Sequence, residues 1–238
     1  MSELASYELD GPIATITMDD GKVNAFSIDM LKAVHAAFDR AEGDGAVVVL
    51  SGREGYFSAG FDLKVFSAGD PERVVEMLRL GATLTERMLS FPTPVIAACS
   101  GHAIAAGSFV LLAADVRIGV DGPFQMGLNE VKIGLTVPWF AIELARGRLS
   151  PAHYNRAVIT GAIYSPAEGV MAGFLDQVVA PQELRAASLQ AAEAMAALNL
   201  PAHAATKLRA RGAQLTALRA GIDSELTVAA LTGTQPPS

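Results

Sequence analysis

Residues 95–120 read VIAACSGHAIAAGSFVLLAADVRIGV, and their pattern decides the expected fold. The apolar run at 95–99 is typical of a strand that is covered on both faces. Gly101 opens a turn into the apolar segment 103–114, whose lack of alternation predicts a buried helix. Residues 115–120 predict a further strand. A strand, a helix and a second strand in this order are typical of a parallel α/β unit.

The alternation of strand and helix extends towards the N-terminus. Residues 13–18 alternate in polarity and predict a strand. Ser27 is typical of the N-cap of a helix that continues to about residue 42. The run AVVVL at 46–50 predicts another buried strand, and a helix is expected over 71–90 because it opens with a proline. The fold class is therefore α/β with a mostly parallel sheet.

The chain changes character from residue 181. Two alanine-rich stretches, at about 181–198 and 202–231, predict long, weakly charged helices. We interpret 1–180 as one folded core and 181–231 as an appended helical region that packs on another subunit. Residues 232–238 are expected to form a disordered tail.

Composition excludes several classes of protein. The 238 residues include a single cysteine, Cys99, so an intrachain disulfide and a thiolate zinc cluster are excluded. Four scattered histidines make a metal site improbable. A net charge of −7 argues against a nucleic-acid partner. No apolar run has the ~20 residues of a membrane span, and the first ten residues lack a secretory pattern, so we expect a cytoplasmic protein.

Two loops of small residues remain as candidates for chemistry. P-loop, dinucleotide-binding and nucleophile-elbow motifs are absent from the sequence. The loops at 56–64 and 101–107 each follow a predicted buried strand and lead towards a helix. Ligands bind at that end of the strands in an open α/β sheet. Amides at the start of a helix point outwards, so two such loops side by side could form an oxyanion hole; plain tight turns are the alternative.

Glu130 is an isolated acid among apolar residues. A carboxyl group in such surroundings is desolvated, which raises its pKa and makes it a usable base near neutral pH. The alternative is a surface acid in a loop.

Four segments in fixed order, at 22–25, 57–64, 101–107 and 127–134, resemble the crotonase (enoyl-CoA hydratase/isomerase) superfamily. The resemblance implies a crotonase/ClpP-like spiral of ββα units with a C-terminal helical trimerisation region. It also implies an acyl-CoA thioester substrate in fatty-acid metabolism, with no cofactor beyond the coenzyme A of that substrate, and a homotrimer or dimer of trimers.

The resemblance also implies roles for particular residues. The backbone amides of Phe61 and Ala106 would hold the thioester oxygen as an enolate forms. The family usually has glycine where this chain has Ala106; a positive φ there would cost alanine ~1 kcal/mol or more, unless Gly107 takes up the turn. An acyl pocket would include Phe109, Pro138 and Trp139. Coenzyme A would be bound by Lys22, Val23, Ala25, Ala59, Phe61, Asp62, Leu63 and Lys64.

Two positions bear on the reaction. Hydratases of this family carry two glutamates; Glu130 matches the second, and Phe109 stands where the first would be. Phenylalanine cannot hydrogen-bond to the attacking water. Moving a double bond from 3,4 to 2,3 needs one base, so we expect a Δ3,Δ2-enoyl-CoA isomerase of the mitochondrial type with Glu130 as the proton shuttle. The runner-up is an enoyl-CoA hydratase.

Two further alternatives come from different classes. The chain could be an acyl-CoA binding protein without chemistry. It could also be a Clp-like serine peptidase, whose nucleophile would be expected near Ala105, with Ser108 out of register. Lys207, Arg209 and Arg211 either form a cationic face for the phosphates of coenzyme A or a solvated helix face.

Overall fold

A computed structural model describes residues 4–233 of the chain. The strands, numbered in chain order, are β1 Ala5–Asp10, β2 Ile13–Met18, β3 Ala25–Phe26, β4 Val47–Ser51, β5 Gly55–Ser58, β6 Gly60–Phe61, β7 Val95–Cys99, β8 Gly101–Ile104, β9 Val116–Val120, β10 Met126–Gly127, β11 Ile163–Tyr164 and β12 Gln177–Val179.

The helices enclose these strands on both sides. They are α1 Ile28–Gly43, α2 Leu63–Ser67, α3 Pro71–Ser90, α4 Ala106–Ala113, α5 Trp139–Arg148, α6 Pro151–Thr160, α7 Pro166–Ala172, α8 Leu184–Ala196, α9 Leu200–Glu225 and α10 Val228–Thr232. Two 3₁₀ turns, Glu130–Ile133 and Pro181–Glu183, connect them. Among the described residues, no helix is both long and apolar enough to cross a membrane.

The strands form a spiral of ββα units, as the resemblance implies. The large sheet has the order β1-β2-β4-β7-β9-β12 and is parallel except for the β1–β2 hairpin. A smaller sheet has the order β11-β10-β8-β5. In successive turns the chain passes from a strand of the large sheet to a short strand of the small sheet and then to a helix. The loops of interest therefore meet where the short strands end.

The central stretch differs from expectation at its glycine-rich turn. Residues Gly101–Ile104 form strand β8, and helix α4 begins at Ala106, three residues later than expected. Strand β8 pairs in parallel with β10 and with β5, so partners distant in sequence impose its extended conformation. In a short apolar run, periodicity does not distinguish a buried strand from a buried helix. The end of strand β8 was therefore included in the predicted helix.

The C-terminal helices pack on their own chain. Leu184 and Ala192 of α8 cover the outer face of the large sheet, against Ile96 and Ile118 among others. Helix α9 packs against α3 and α5. These helices therefore pack against the core of the same subunit, while the division of the chain at residue 180 and self-association through this region stay predictions. Helix α10 ends at Thr232, and residues 234–238 of the predicted tail lie outside the described residues.

Two of the three cationic residues considered on α9, Lys207 and Arg211, form ion pairs within the subunit and so match neither of the two alternatives that the sequence left open. The ammonium group of Lys207 lies 2.7 Å from Asp115 Oδ2, and the guanidinium of Arg211 lies 2.8 Å from Oδ1 of the same carboxylate. Lys207 is only 6% exposed. These side chains neutralise an internal acid, which also accepts the backbone N–H of Val95, so they are not available to coenzyme A phosphates.

Candidate active site

A cavity of about 490 Å³ lies between the two glycine-rich loops and the C-terminal helices. Its walls are mainly apolar side chains, together with the backbone of both loops. The residues that line it are Ala59, Phe61, Leu63, Phe66, Val75, Leu78, Ala105, Phe109, Asn129, Glu130, Ile133, Leu135, Thr136, Pro138, Glu225, Leu226, Ala230 and Leu231. The structure thus brings Phe61, Phe109, Glu130 and Pro138 to one cavity.

Glu130 is buried at the edge of this cavity. It begins the 3₁₀ turn that follows β10, is 6% exposed, and its Oε2 has no hydrogen-bond partner among residues 4–233. Burial raises the pKa of its carboxyl from 4.5 to about 7, although a hydrogen bond from its own backbone N–H opposes the shift. A carboxyl group with this pKa can both accept and return a proton near neutral pH.

The backbone amide of Phe61 is directed away from its strand partner. Strand β6 pairs in parallel with β3, and the N–H of Asp62 donates to the carbonyl oxygen of Phe26 at 3.2 Å. Amides alternate in direction along a strand, so the Phe61 N–H points to the opposite side. Because Phe61 lines the cavity, we expect its N–H to be available to a ligand there.

The amide of Ala106 is the first of helix α4. The first amides of a helix have no acceptor within it, and the N-cap residue Ala105 offers no side-chain acceptor. The positive φ that the sequence placed at Ala106 or Gly107 lies instead at Ala105, with φ 51° and ψ −121°. A strained alanine of this kind costs about 1–3 kcal/mol. Ala105, which makes this sharp turn, lines the cavity.

Glycines let the two amide-bearing loops approach each other. A Cβ atom on Gly60 would lie 3.3 Å from the amide nitrogen of Ala106 and 3.0 Å from the carbonyl oxygen of Ile104. A Cβ atom on Gly107 would lie 2.3 Å from the carbonyl oxygen of Ser58. Gly107 is therefore needed for space rather than for the turn. The absence of a side chain at Gly60 thus lets the loop that carries Phe61 lie against the start of α4, which an oxyanion hole built from the Phe61 and Ala106 amides would require.

Two buried serines that sequence reasoning missed fix these loops. Ser58 Oγ donates to the carbonyl oxygen of Asn24 at 2.6 Å and accepts the N–H of Gly60 at 3.1 Å. Ser108 Oγ donates to the carbonyl oxygen of Ala103 at 2.6 Å and accepts the N–H of Gly127 at 3.0 Å. Serine in a small-residue loop gives no local signal of such a role. Because Ser108 is fully buried and engaged in this way, the structure speaks against the peptidase alternative.

The segments expected to bind coenzyme A lie side by side. The N–H of Ala59 donates to the carbonyl oxygen of Val23 at 3.0 Å, and Ala25 pairs with Gly60. The side chains of Lys22 and Lys64 are exposed near this junction, as is Leu63. Asp62 Oδ1 accepts the N–H of Lys64 at 2.9 Å and caps α2. The carboxylate of Asp62 therefore makes a structural hydrogen bond at the start of α2.

Of the three residues predicted to form the acyl pocket, two line the cavity and one does not. Phe109 is 1% exposed, lines the cavity and packs edge-on against Phe140, with ring centroids 5.4 Å apart. Pro138 also lines the cavity. Trp139 does not: its side chain is 56% exposed, and its backbone N–H donates to Glu225 Oε2 at 2.7 Å. Trp139 begins helix α5, which turns the indole away from the cavity.

The C-terminal part of the cavity wall was missed entirely. Glu225 and Leu226 at the end of α9, with Ala230 and Leu231 of α10, close the cavity opposite the loops. Alanine-rich helical stretches give no local sign of which cavity they will border. Among the described residues, no group of three or more His, Cys, Asp or Glu side chains is placed to hold a metal ion.

Known proteins share both the sequence pattern and the fold. Residues 8–235 match the family model described as enoyl-CoA hydratase/isomerase. The mitochondrial enoyl-CoA delta isomerase 1 of Homo sapiens is 28% identical over 87% of this chain and 69% of its own length. The carnitinyl-CoA dehydratase of Salmonella typhi is 31% identical over 81% of this chain and 74% of its own length.

A solved structure matches closely as well. An enoyl-CoA hydratase/isomerase family protein from Pseudomonas syringae is 47% identical and superposes with a TM-score of 0.92, covering 94% of this chain and 97% of that one. The chain therefore belongs to the enoyl-CoA hydratase/isomerase family, the crotonase fold, and its relatives are acyl-CoA enzymes.

Proposed function

We propose that this protein is an enoyl-CoA isomerase that shifts a 3,4 double bond of an enoyl-CoA to the 2,3 position. The observation that carries the proposal is a single buried, unpartnered carboxyl, Glu130, in a cavity where Phe109 occupies the place of a second acid. The similarity to a human enoyl-CoA delta isomerase supports it. Coenzyme A enters as part of the substrate, and no separate cofactor is needed.

The chemistry balances with one base. The Glu130 carboxylate removes a proton from C2, and the electron pair spreads over C2, C3, C4 and the thioester oxygen. The N–H groups of Phe61 and Ala106 donate to that oxygen while it carries negative charge. The protonated Glu130 then delivers the proton to C4, which leaves the double bond between C2 and C3. The apolar face of Phe109 excludes the water that a hydratase would use.

A hydratase is the second candidate, and two observations favour it. The Salmonella typhi relative is named a dehydratase. A second carboxyl, Glu225, also lines the cavity, although its Oε2 accepts the N–H of Trp139.

Product analysis separates these reactions. We expect 3-enoyl-CoA to be converted to 2-enoyl-CoA, and 2-enoyl-CoA to be hydrated at a rate lower by at least about 10²-fold, the loss typical of a missing acid–base group. Liquid chromatography with mass spectrometry distinguishes the hydrated product by its added water. Rapid formation of 3-hydroxyacyl-CoA would favour the hydratase, and tight binding without turnover would favour a binding protein.

The pH dependence follows from the state of Glu130. Isomerisation requires the carboxylate, and the pKa of this group is raised to about 7 by burial. We therefore expect kcat/KM to rise with pH as one proton is lost, with its midpoint near pH 7 rather than near the ordinary value of 4.5. Initial rates measured between pH 5 and pH 9 provide the test, and a flat profile across pH 6–8 contradicts the assignment.

A further inference from the structure

The cavity continues well past the reacting centre. Beyond Phe109 and Glu130 it is bounded by Phe66 of α2 and by Val75 and Leu78 of α3. A water molecule takes about 30 Å³ of liquid, and a methylene group is of similar size, so the cavity of about 490 Å³ greatly exceeds the needs of a short acyl chain. The excess space lies along apolar walls, where an aliphatic chain would be favourably buried.

The far wall is held in place by polar contacts to the end of α9. The Arg79 guanidinium of α3 donates to the carbonyl oxygens of Ile222 at 3.3 Å and Leu226 at 3.2 Å. Glu225 accepts the N–H of Trp139 at the start of α5. Leu226, at 4% exposure, leaves the helical conformation, and α10 then turns back over the cavity.

The charge of the lining restricts the occupant. Among the described residues, Glu130 and Glu225 are the ionisable side chains that line the cavity. Glu225 lies in the C-terminal wall with Leu226, Ala230 and Leu231, so a chain that ends in a carboxylate would meet a like charge there. An uncharged hydrocarbon end meets no such penalty.

We propose that the cavity takes an uncharged acyl chain of at most about sixteen methylene groups, the number that about 490 Å³ holds at roughly 30 Å³ each, and that Ala230 of α10 limits that length. The inference rests on the proposed function, because it assumes that the acyl group of the substrate enters this cavity. Ala230 is exposed on its outer side but lines the cavity, and it is the smallest side chain in the C-terminal wall, so enlarging it takes up space there without changing a residue of the loops or Glu130.

Binding of saturated acyl-CoAs tests the proposal without any turnover. Dissociation constants for butanoyl-, octanoyl- and dodecanoyl-CoA are measured by titration calorimetry on the wild-type protein and on Ala230→Phe. In the wild type we expect affinity to rise by up to about fourfold for each added methylene until the cavity is full. We expect Ala230→Phe to bind dodecanoyl-CoA at least about tenfold more weakly than the wild type does, because roughly two methylene groups can no longer be buried. The affinity for butanoyl-CoA should be unchanged.

A matched control lies on the same short helix. Val228 is 37% exposed and does not line the cavity, so Val228→Phe should leave the whole chain-length series unchanged. An octanoyl chain that carries a terminal carboxylate should bind the wild type more weakly than octanoyl-CoA. The proposal is overturned if wild-type affinity is independent of chain length, if Ala230→Phe weakens butanoyl-CoA equally, or if the two variants behave alike.

The outcome is separable from that of the proposed function. Saturated acyl-CoAs have no double bond to move, so a length-dependent affinity can stand even if 3-enoyl-CoA is not isomerised. Conversely, isomerisation with no dependence of affinity on chain length would leave the proposed reaction intact and remove the assignment of Ala230.

Discussion

Replacing Glu130 with glutamine is expected to lower kcat for double-bond migration by about 10²–10⁴-fold, the range typical of a lost general base. Glutamine has nearly the same shape but cannot accept the C2 proton. Because the Phe61 and Ala106 amides and the apolar walls are unchanged, the affinity for octanoyl-CoA should stay within about twofold of wild type, far less than the loss of transition-state stabilisation. Steady-state rates on 3-enoyl-CoA and calorimetric affinities give the two measurements.

The same substitution has a distinctive effect on stability. The pKa of Glu130 is raised from 4.5 to about 7, so between these values the folded protein holds a proton that the unfolded chain has lost. The contribution of this group to the free energy of unfolding therefore falls as pH rises through that window. Glu130→Gln removes this loss, so the variant should be more stable than wild type at pH 8, by up to a few kcal/mol, and similar at pH 4.

These two readouts distinguish a proton shuttle from a structural acid. If Glu130 mainly supported the fold, its replacement would reduce stability and activity together. Undiminished turnover in a folded Glu130→Gln variant would remove the residue from the mechanism. Denaturant unfolding at the two pH values supplies the stability comparison.

Local signals in the sequence predicted the longer elements well. Helix α3 and strand β7 have the expected bounds, and the Asp70 and Ser27 caps accept backbone N–H groups of their helices. A cap, a proline or a run of β-branched residues acts within a few positions of the element that it starts or forms. Such features can be detected without knowledge of the rest of the chain.

The short strands depended on distant partners instead. Strand β8 is extended because β5 and β10 pair with it on either side, and residues 101–104 by themselves carry no distinctive pattern. Context of this kind overrides intrinsic preference in short strands. The expected single helix over 103–114 was therefore too long at its start.

The site, too, has features that the local sequence predicts and features that depend on distant parts of the chain. The apolar neighbours of Glu130 in the sequence correctly predicted a desolvated carboxyl, since Glu130 is 6% exposed and its burial raises its pKa to about 7. The orientation of Trp139 and the wall formed by Ala230 depend instead on how α9 packs against α3 and α5. Contacts such as that between Trp139 and Glu225, which are 86 positions apart, leave no trace in a local pattern.

Replacing Gly60 with alanine is expected to lower kcat by about 10²–10³-fold, the loss typical of one oxyanion-hole donor. The added Cβ would lie 3.0 Å from the carbonyl oxygen of Ile104 and 3.3 Å from the amide nitrogen of Ala106. These are backbone atoms, so the loop that carries Ala106 must shift by several tenths of an ångström. The two amides then no longer converge on one oxygen, and a small displacement is costly for a preorganised donor pair.

A second glycine separates this effect from backbone strain. Gly60 and Gly69 both have positive φ, 97° and 72°, but a Cβ on Gly69 would meet no atom within 4 Å. Each alanine variant should lose about 1–2 kcal/mol of stability from the left-handed conformation. Gly69→Ala should nevertheless keep wild-type kcat. Under conditions in which the same fraction of each variant is folded, Gly60→Ala should have the lower kcat. Equal kcat in the two variants, measured on 3-enoyl-CoA well below their unfolding temperatures, would show that close approach of the loops is not needed for catalysis.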